Sequence, residues 1–250
     1  MPRGTREKSE SGIYHVMLRG IDKMDIFSSN SEYEKFLYYI REAMDKSDFV
    51  VYGYCLMTNH VHLLIKTETE EIGDIVRRIA VGYAQYHNLK NGRTGHLFQN
   101  RFRSETVDSD AYFLTALRYI HQNPIKAGVV GNMEDYRWSS YTEYINVGKK
   151  KDMIIDPSFA LSYFSDVNSF MNYMEMKNED QCLEYAEKIR YTDEELMEII
   201  SSFTDISKLK SLDVKSRNEM LKTIKANTKA SNRQISRITG IGRGVLEKLK

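Results

Sequence analysis

Residues 59–64 of the 250-residue chain read Asn-His-Val-His-Leu-Leu. Alternate side chains of a strand share a face, so His60 and His62 would point the same way, roughly 6.6 Å apart along it. Two imidazoles at that spacing can hold one divalent cation. The same pattern also describes a half-exposed strand with two polar histidines, with Val61, Leu63 and Ile65 toward a core. A second stretch, Leu117-Arg118-Tyr119-Ile120-His121-Gln122-Asn123-Pro124, places Tyr119 and Asn123 four residues apart. On a helix they share a face one turn along. The Asn123 carbonyl is a hard oxygen ligand suited to Mg²⁺ or Mn²⁺. A phenol beside a cation is a nucleophile, because positive charge favours phenolate. The spacing equally fits an amphipathic tyrosine packed on a sheet, one of 17 in the chain, and Tyr112 on the same segment is a competing candidate.

These residues need a sheet and a helix to position them. Ile13 to Leu18 is rich in β-formers and reads as a first strand. Ser31 with Glu34 has capping-box spacing and starts a helix that reaches about Lys46. Phe49–Met57 and His60–Lys66 read as two strands joined by a turn at Thr58-Asn59. Glu71–Leu89 has helical apolar spacing, Phe102–Val107 reads as a fourth strand, and a helix begins at Asp108 or Ser109. That helix is expected to stop at Asn123, since Pro124 disfavours helix at the residue before it. The order predicts an α+β fold: a ferredoxin-like βαββαβ antiparallel sheet with an added catalytic helix, followed by an all-α C-terminal region.

Composition narrows the class. Hydrophobic residues at 41% and charged residues at 28% are ordinary for a globular chain. Cys55 and Cys182 are too few for a disulfide scaffold, which predicts a reducing, cytoplasmic setting. No apolar run approaches the roughly 18 residues of a membrane helix, and residues 1–6 lack the apolar stretch of a signal peptide. The net charge of +1 conceals segregation. Residues 1–150 are balanced, residues 151–206 hold 4 basic and 13 acidic side chains, and residues 207–250 hold 12 basic and 3 acidic. We therefore expect a body over 1–150, an acidic and mostly helical connector over 151–206, and a basic helical region over 207–250. Basic density of that kind is the footprint of a phosphate-binding module, although it also describes a solvated helical face.

Read together, the motifs resemble a known family. His60-Val61-His62 is similar to the His-hydrophobe-His motif of the HUH endonuclease superfamily. Residues 13–141 resemble its single-tyrosine transposases, specifically the REP-associated tyrosine transposase group. The likeness is carried by Tyr14-His15-Val16, Arg19-Gly20, Met57 through Leu64, Phe98-Gln99-Asn100-Arg101-Phe102, Tyr119 through Gly128, and Trp138-Ser139-Ser140-Tyr141. Lys126 stands where the group often has arginine, which keeps the charge and loses the bidentate fork. The resemblance implies that Tyr119 is the nucleophile and forms a covalent 5′-phosphotyrosine on single-stranded, hairpin-associated DNA. It implies His60, His62 and Asn123 as ligands of Mg²⁺ or Mn²⁺. It also implies a bacterial protein, nucleoid-associated when bound. Relatives include monomers and dimers, so a homodimer is compatible with it.

Binding features accompany the chemistry. Arg93, His96, Phe98, Arg101, Phe102 and Arg103 interleave cations and rings, as a single-strand path requires. Arg77 and Arg78 could extend that path, and Arg3, Arg6 and Lys8 form a basic arm. Ser231 can cap a short helix, Thr239-Gly240-Ile241-Gly242 can turn, and Arg243–Lys250 can form a second helix. This helix-turn-helix layout resembles the DNA-binding end of replication initiators, with Arg233, Arg237 and Arg243 as contacts. A plain αα-hairpin packed on the body is the structural alternative. Two other functions fit parts of the pattern: a domesticated DNA-binding regulator without turnover, and a zinc hydrolase using the histidine pair. If the basic region binds, its removal lowers DNA affinity and flattens the salt dependence, measured by binding titrations at several ionic strengths. Unchanged affinity at low salt would identify it as packing.

Overall fold

A computed structural model describes residues 7–149, 152–177, 182–183, 191–202, 204–228 and 230–249. Arg3 and Arg6 of the basic arm, and Lys250, lie outside them. The chain divides into two compact units, residues 1–184 and 185–250.

The first unit is built on four strands: β1 (Ile13–Arg19), β2 (Phe49–Met57), β3 (His60–Thr67) and β4 (Arg103–Thr106). They form one sheet in the order β2-β3-β1-β4, and every pair is antiparallel. With α1 (Asn30–Met44) and α2 (Ile72–Lys90) between the strands, this is the expected ferredoxin-like βαββαβ arrangement. Alternation along β3 works as the sequence predicts: Val61, Leu63 and Ile65 are buried in the core. Phe36, Ile40, Ile75, Ile79 and Tyr83, from α1 and α2, belong to the same cluster.

α1 starts two residues before its expected cap. Ser29 holds the cap position, and Glu32 rather than Glu34 turns back, accepting the Ser28 N–H at 2.6 Å. Glu32 is fully buried and also accepts from Asn91 Nδ2 at 3.0 Å, so tertiary partners choose the register.

α3 (Asp110–Lys126) is capped by Ser109, which accepts the Tyr112 N–H. It does not end at Asn123 but runs through Pro124. The Asn123 side chain donates to the Tyr119 carbonyl at 2.9 Å, and the Ala127 and Val129 N–H groups bond the Asn123 and Pro124 carbonyls. Proline so near the C-terminus costs few helical bonds, and these contacts carry the last turn past it. The helix approaches β2 closely at Gly53, where a β-carbon would lie 2.7 Å from Leu117 Cδ1.

The remaining parts of this unit hold α3 and close the edge of β2. Residues 138–140 run along that edge: the Leu56 N–H bonds the Trp138 carbonyl, and Ser140 Oγ accepts the Tyr54 N–H, both at 2.9 Å. α4 (Tyr141–Ile145) follows, then α5 (Ser158–Leu161) and α6 (Val167–Glu175). Residues 152–177 therefore do not act as a connector. Gln122 Nε2 donates to the Met174 carbonyl at 2.6 Å, Arg118 lies over the Tyr173 ring, and Phe170 and Met174 are fully buried. Within 152–177, Asp152, Asp156 and Glu175 are exposed, while Ile154, Ile155, Ala160, Phe170 and Met174 join the first core.

The second unit contains α7 (Asp193–Ser201), α8 (Val214–Thr228), α9 (Asn232–Thr239) and α10 (Arg243–Lys248). Thr192 and Glu195 form a capping box at the start of α7, and the Ser231 cap forms as predicted. Gly240 ends α9 at φ 66°, a left-handed conformation that favours glycine. Leu196 and Ile200 of α7 share a core with Leu221, Ile224, Ile235, Ile241 and Leu246. A cut at 206/207 divides that core, so removal of the unit is made at 184/185. Among the described residues, no helix is long and apolar enough to cross a membrane.

Gly53 gives the sharpest packing test. Gly53→Val should destabilise the chain by about 1–3 kcal/mol, because α3 cannot retreat from a filled core without strain. Chemical denaturation measures this, and an unchanged midpoint would show that the helix is loosely seated.

Candidate active site on the sheet face

The sheet face beneath α3 carries three polar side chains in a row. His62 on β3, His15 on β1 and Glu105 on β4 come from adjacent strands, with His15 directly opposite Glu105 in the register. His15 Nε2 lies 2.9 Å from His62 Nδ1, and His15 Nδ1 lies 2.9 Å from Glu105 Oε1. His15 is fully buried and His62 is 1% exposed. Burial, reinforced by the neighbouring His15 and His60, pushes His62 well below the usual imidazole range. A neutral imidazole is the form that ligates a cation.

The expected pair does share a face. The His60 and His62 rings are 5.1 Å apart at 88°, and His60 Nδ1 is 2.6 Å from Asn59 Oδ1. The Nδ1 atoms of His60 and His62 are engaged by Asn59 and His15 respectively. α3 brings Tyr119 to them: its ring is 5.7 Å from His62 and 6.0 Å from His15, and Lys126 Nζ is 4.7 Å from the Tyr119 ring centre. Asn123 sits one turn beyond Tyr119. Its Nδ2 is committed to the Tyr119 carbonyl, so Oδ1 is the end suited to a cation. Among the described residues, no three His, Cys, Asp or Glu form a metal cluster. Two imidazole nitrogens and an amide oxygen can hold one divalent cation; imidazole suits zinc as well, and Mg²⁺ or Mn²⁺ is what the sequence resemblance implies.

Tyr112 has other work. Its hydroxyl hydrogen-bonds Glu105, and burial first, then that carboxylate, pushes its ionisation far above the usual range. His121, adjacent to Tyr119 in the motif, is also structural. Its Nε2 is 2.8 Å from Ser140 Oγ, its ring packs on Tyr141 and Tyr144, and burial pushes its pKa down to about 3.

The predicted binding residues separate into groups. The segment around Phe98 passes the His60 end of the sheet: the Gln99 N–H bonds the Arg19 carbonyl at 2.7 Å, and Arg19 pairs with His60 in the register. Arg101 and Arg103 are exposed and Arg93 is half-buried. Phe98 and Phe102 are packed against the core, and the Phe98 ring is 6.4 Å from Tyr83. Both rings are partly buried, so each gives one part to packing and keeps another exposed. Arg78 is held by Glu70 at 2.8 Å and by Ser47, while Arg77 is exposed beside Asp74. In the second unit, Arg233 is exposed, Arg243 is exposed with Glu247 3.4 Å away, and Arg237 pairs with Asp193.

His15 and Glu105 were not among the residues expected to act. The signal was present, since a histidine in an apolar strand needs a buried partner, but the partner is found only once the strand order is known.

A ferredoxin-like sheet with a histidine pair on one strand, faced by a tyrosine-bearing helix, is the arrangement that the sequence resemblance to single-tyrosine transposases implies. Residues 8–123, a little under half of the chain, match the family described as transposase, IS200 like. A putative REP-associated tyrosine transposase of Haemophilus influenzae (strain ATCC 51907 / DSM 11121 / KW20 / Rd) is 25% identical over 113 residues. The match covers 40% of this chain and 64% of that relative, so the chain spans a little under two thirds of the relative's length. A solved REP-associated tyrosine transposase bound to a REP hairpin aligns with TM-score 0.52 and 17% identity, over 62% of this chain and 92% of that one. It supports the fold.

The assignment of Phe98 is testable. Phe98→Ala should destabilise the domain by about 1–3 kcal/mol, measured by denaturation, and Arg101→Ala should lower single-strand affinity without that loss. The reverse pattern would make Phe98 a stacking platform.

Proposed function

We propose that this chain is a DNA strand transferase that cleaves single-stranded DNA beside a hairpin through Tyr119. The reading is carried by one juxtaposition: the Tyr119 ring lies 5.7 Å from His62, on the face that also presents His60. The solved relative's REP hairpin and the basic second unit favour a hairpin substrate.

Tyr119 Oη attacks phosphorus and the bond from phosphorus to O3′ breaks. The strand stays attached through its 5′ phosphate, and the departing O3′ takes up a proton. Because one phosphodiester replaces another, the strand can be rejoined without ATP. His60, His62 and Asn123 would hold the cation, which supplies Lewis-acid stabilisation of charge on the phosphate oxygens when bound. Lys126 is solvent-exposed over the Tyr119 ring, where its charge favours phenolate and meets the incoming phosphate. Arg101, Arg103 and Arg93 line the approach with charge for the backbone, and Arg233 and Arg243 offer charge from the second unit.

A second reading, hairpin binding without turnover, draws on the same basic residues.

Labelled hairpin DNA is incubated with Mn²⁺ and resolved on denaturing gels. A covalent adduct is expected from the native chain and from Tyr112→Phe, lost in Tyr119→Phe and lost on chelation of the metal. An adduct that persists in Tyr119→Phe excludes the assignment. Tight hairpin binding with no adduct in Mg²⁺ or Mn²⁺ identifies the non-catalytic regulator.

A further inference from the structure

The row Glu105–His15–His62 goes further than holding the sheet together. We propose that Glu105 and His15 are positioning residues that fix the proton of His62 on Nδ1 and so present Nε2 as the lone pair for the cation. This rests on the metal-assisted reading above.

The proton order follows from the contacts. A carboxylate can only accept, so the 2.9 Å contact between Glu105 Oε1 and His15 Nδ1 is a donation by His15. With a single ring proton, His15 carries it on Nδ1 and has its lone pair on Nε2. The 2.9 Å contact to His62 Nδ1 must be a donation by His62. His62, with its proton on Nδ1, is left with its lone pair on Nε2, in a ring whose centre lies 5.1 Å from that of His60 and 5.7 Å from that of Tyr119. In water the other tautomer of imidazole is the more common one, so the row selects against the default. Each link is buried or half-buried, which keeps water from supplying alternative partners.

Glu105 is built to stay ionised. The Leu183 N–H donates to the same oxygen at 2.9 Å, and Tyr112 contributes its hydroxyl. Burial pushes the carboxyl up, but the bonds from His15, Tyr112 and Leu183 outweigh it and hold the group below the usual range. Second partners of this kind set both tautomer and ring orientation in metal-binding histidines. Leu183 follows α6 in the chain, so one anchor of the row comes from beyond the catalytic helix.

The test begins with the metal-free native chain, labelled with ¹⁵N-histidine. The His62 ring signals are assigned by their loss in His62→Asn, and their shifts and couplings report the tautomer. The proposal expects Nδ1 protonated and Nε2 bare in the native chain. In His15→Phe, which removes the acceptor at similar size, the proton is expected to move to Nε2. Mn²⁺ affinity, followed by electron paramagnetic resonance, should fall about 10–100-fold. Glu105→Gln keeps an acceptor oxygen for His15 and should recover most of that loss. A native His62 carrying its proton on Nε2 overturns the proposal, and so does a folded His15→Phe chain that binds Mn²⁺ as tightly as the native one. Failure of the cleavage reading looks different: no metal-dependent adduct at Tyr119, whatever the His62 tautomer.

Discussion

Two imidazoles and a carboxylate lie side by side on the sheet face beneath α3, and each is satisfied by another. Leaving such a group unpaired costs about 1–3 kcal/mol or more, so the row can exist only as a set. That constraint fixes much of what surrounds it. The strands must lie in the order β2-β3-β1-β4, because only then do His62, His15 and Glu105 come from adjacent strands. The edge strand β4 must be anchored, which the Leu183 N–H and the Tyr112 hydroxyl accomplish at Glu105. α3 must cross this face closely, and Gly53 makes room for it.

The same constraint joins structure to chemistry. Burial favours neutral His62, and the contact with His15 engages its Nδ1. α3 is clamped elsewhere: His121 bonds Ser140, Gln122 bonds the Met174 carbonyl, and Arg118 stacks on Tyr173. Residues that seem catalytic by their place in a motif are thus divided by face. In the proposed reading Tyr119, Asn123 and Lys126 serve the site, while His121, Gln122 and Arg118 hold the helix that carries them.

Much of this was legible in the sequence because it is local. Strand alternation places His60 and His62 together, helical spacing places Tyr119 above Asn123, and caps at Ser109, Thr192 and Ser231 mark three helix starts correctly. What could not be read depends on tertiary partners. The cap at Ser29 is selected by a buried Glu32, and α3 passes Pro124 because later carbonyls find donors. Residues 152–177 resemble a connector by charge, yet their apolar sides complete the first core. Phe98 has the composition of a stacking residue and the environment of a packing one. His15 and Glu105 are 90 residues apart, and no periodicity links them.

The central claim is that this sheet face assembles a cation beside Tyr119. Crystals of the full chain soaked in Mn²⁺ test it most directly, through the anomalous signal of the metal. The account predicts one strong peak within coordination distance of Nε2 of both His60 and His62, with Asn123 Oδ1 on the same ion. A peak elsewhere, or density showing the two Nε2 atoms turned away from a common point, would contradict it.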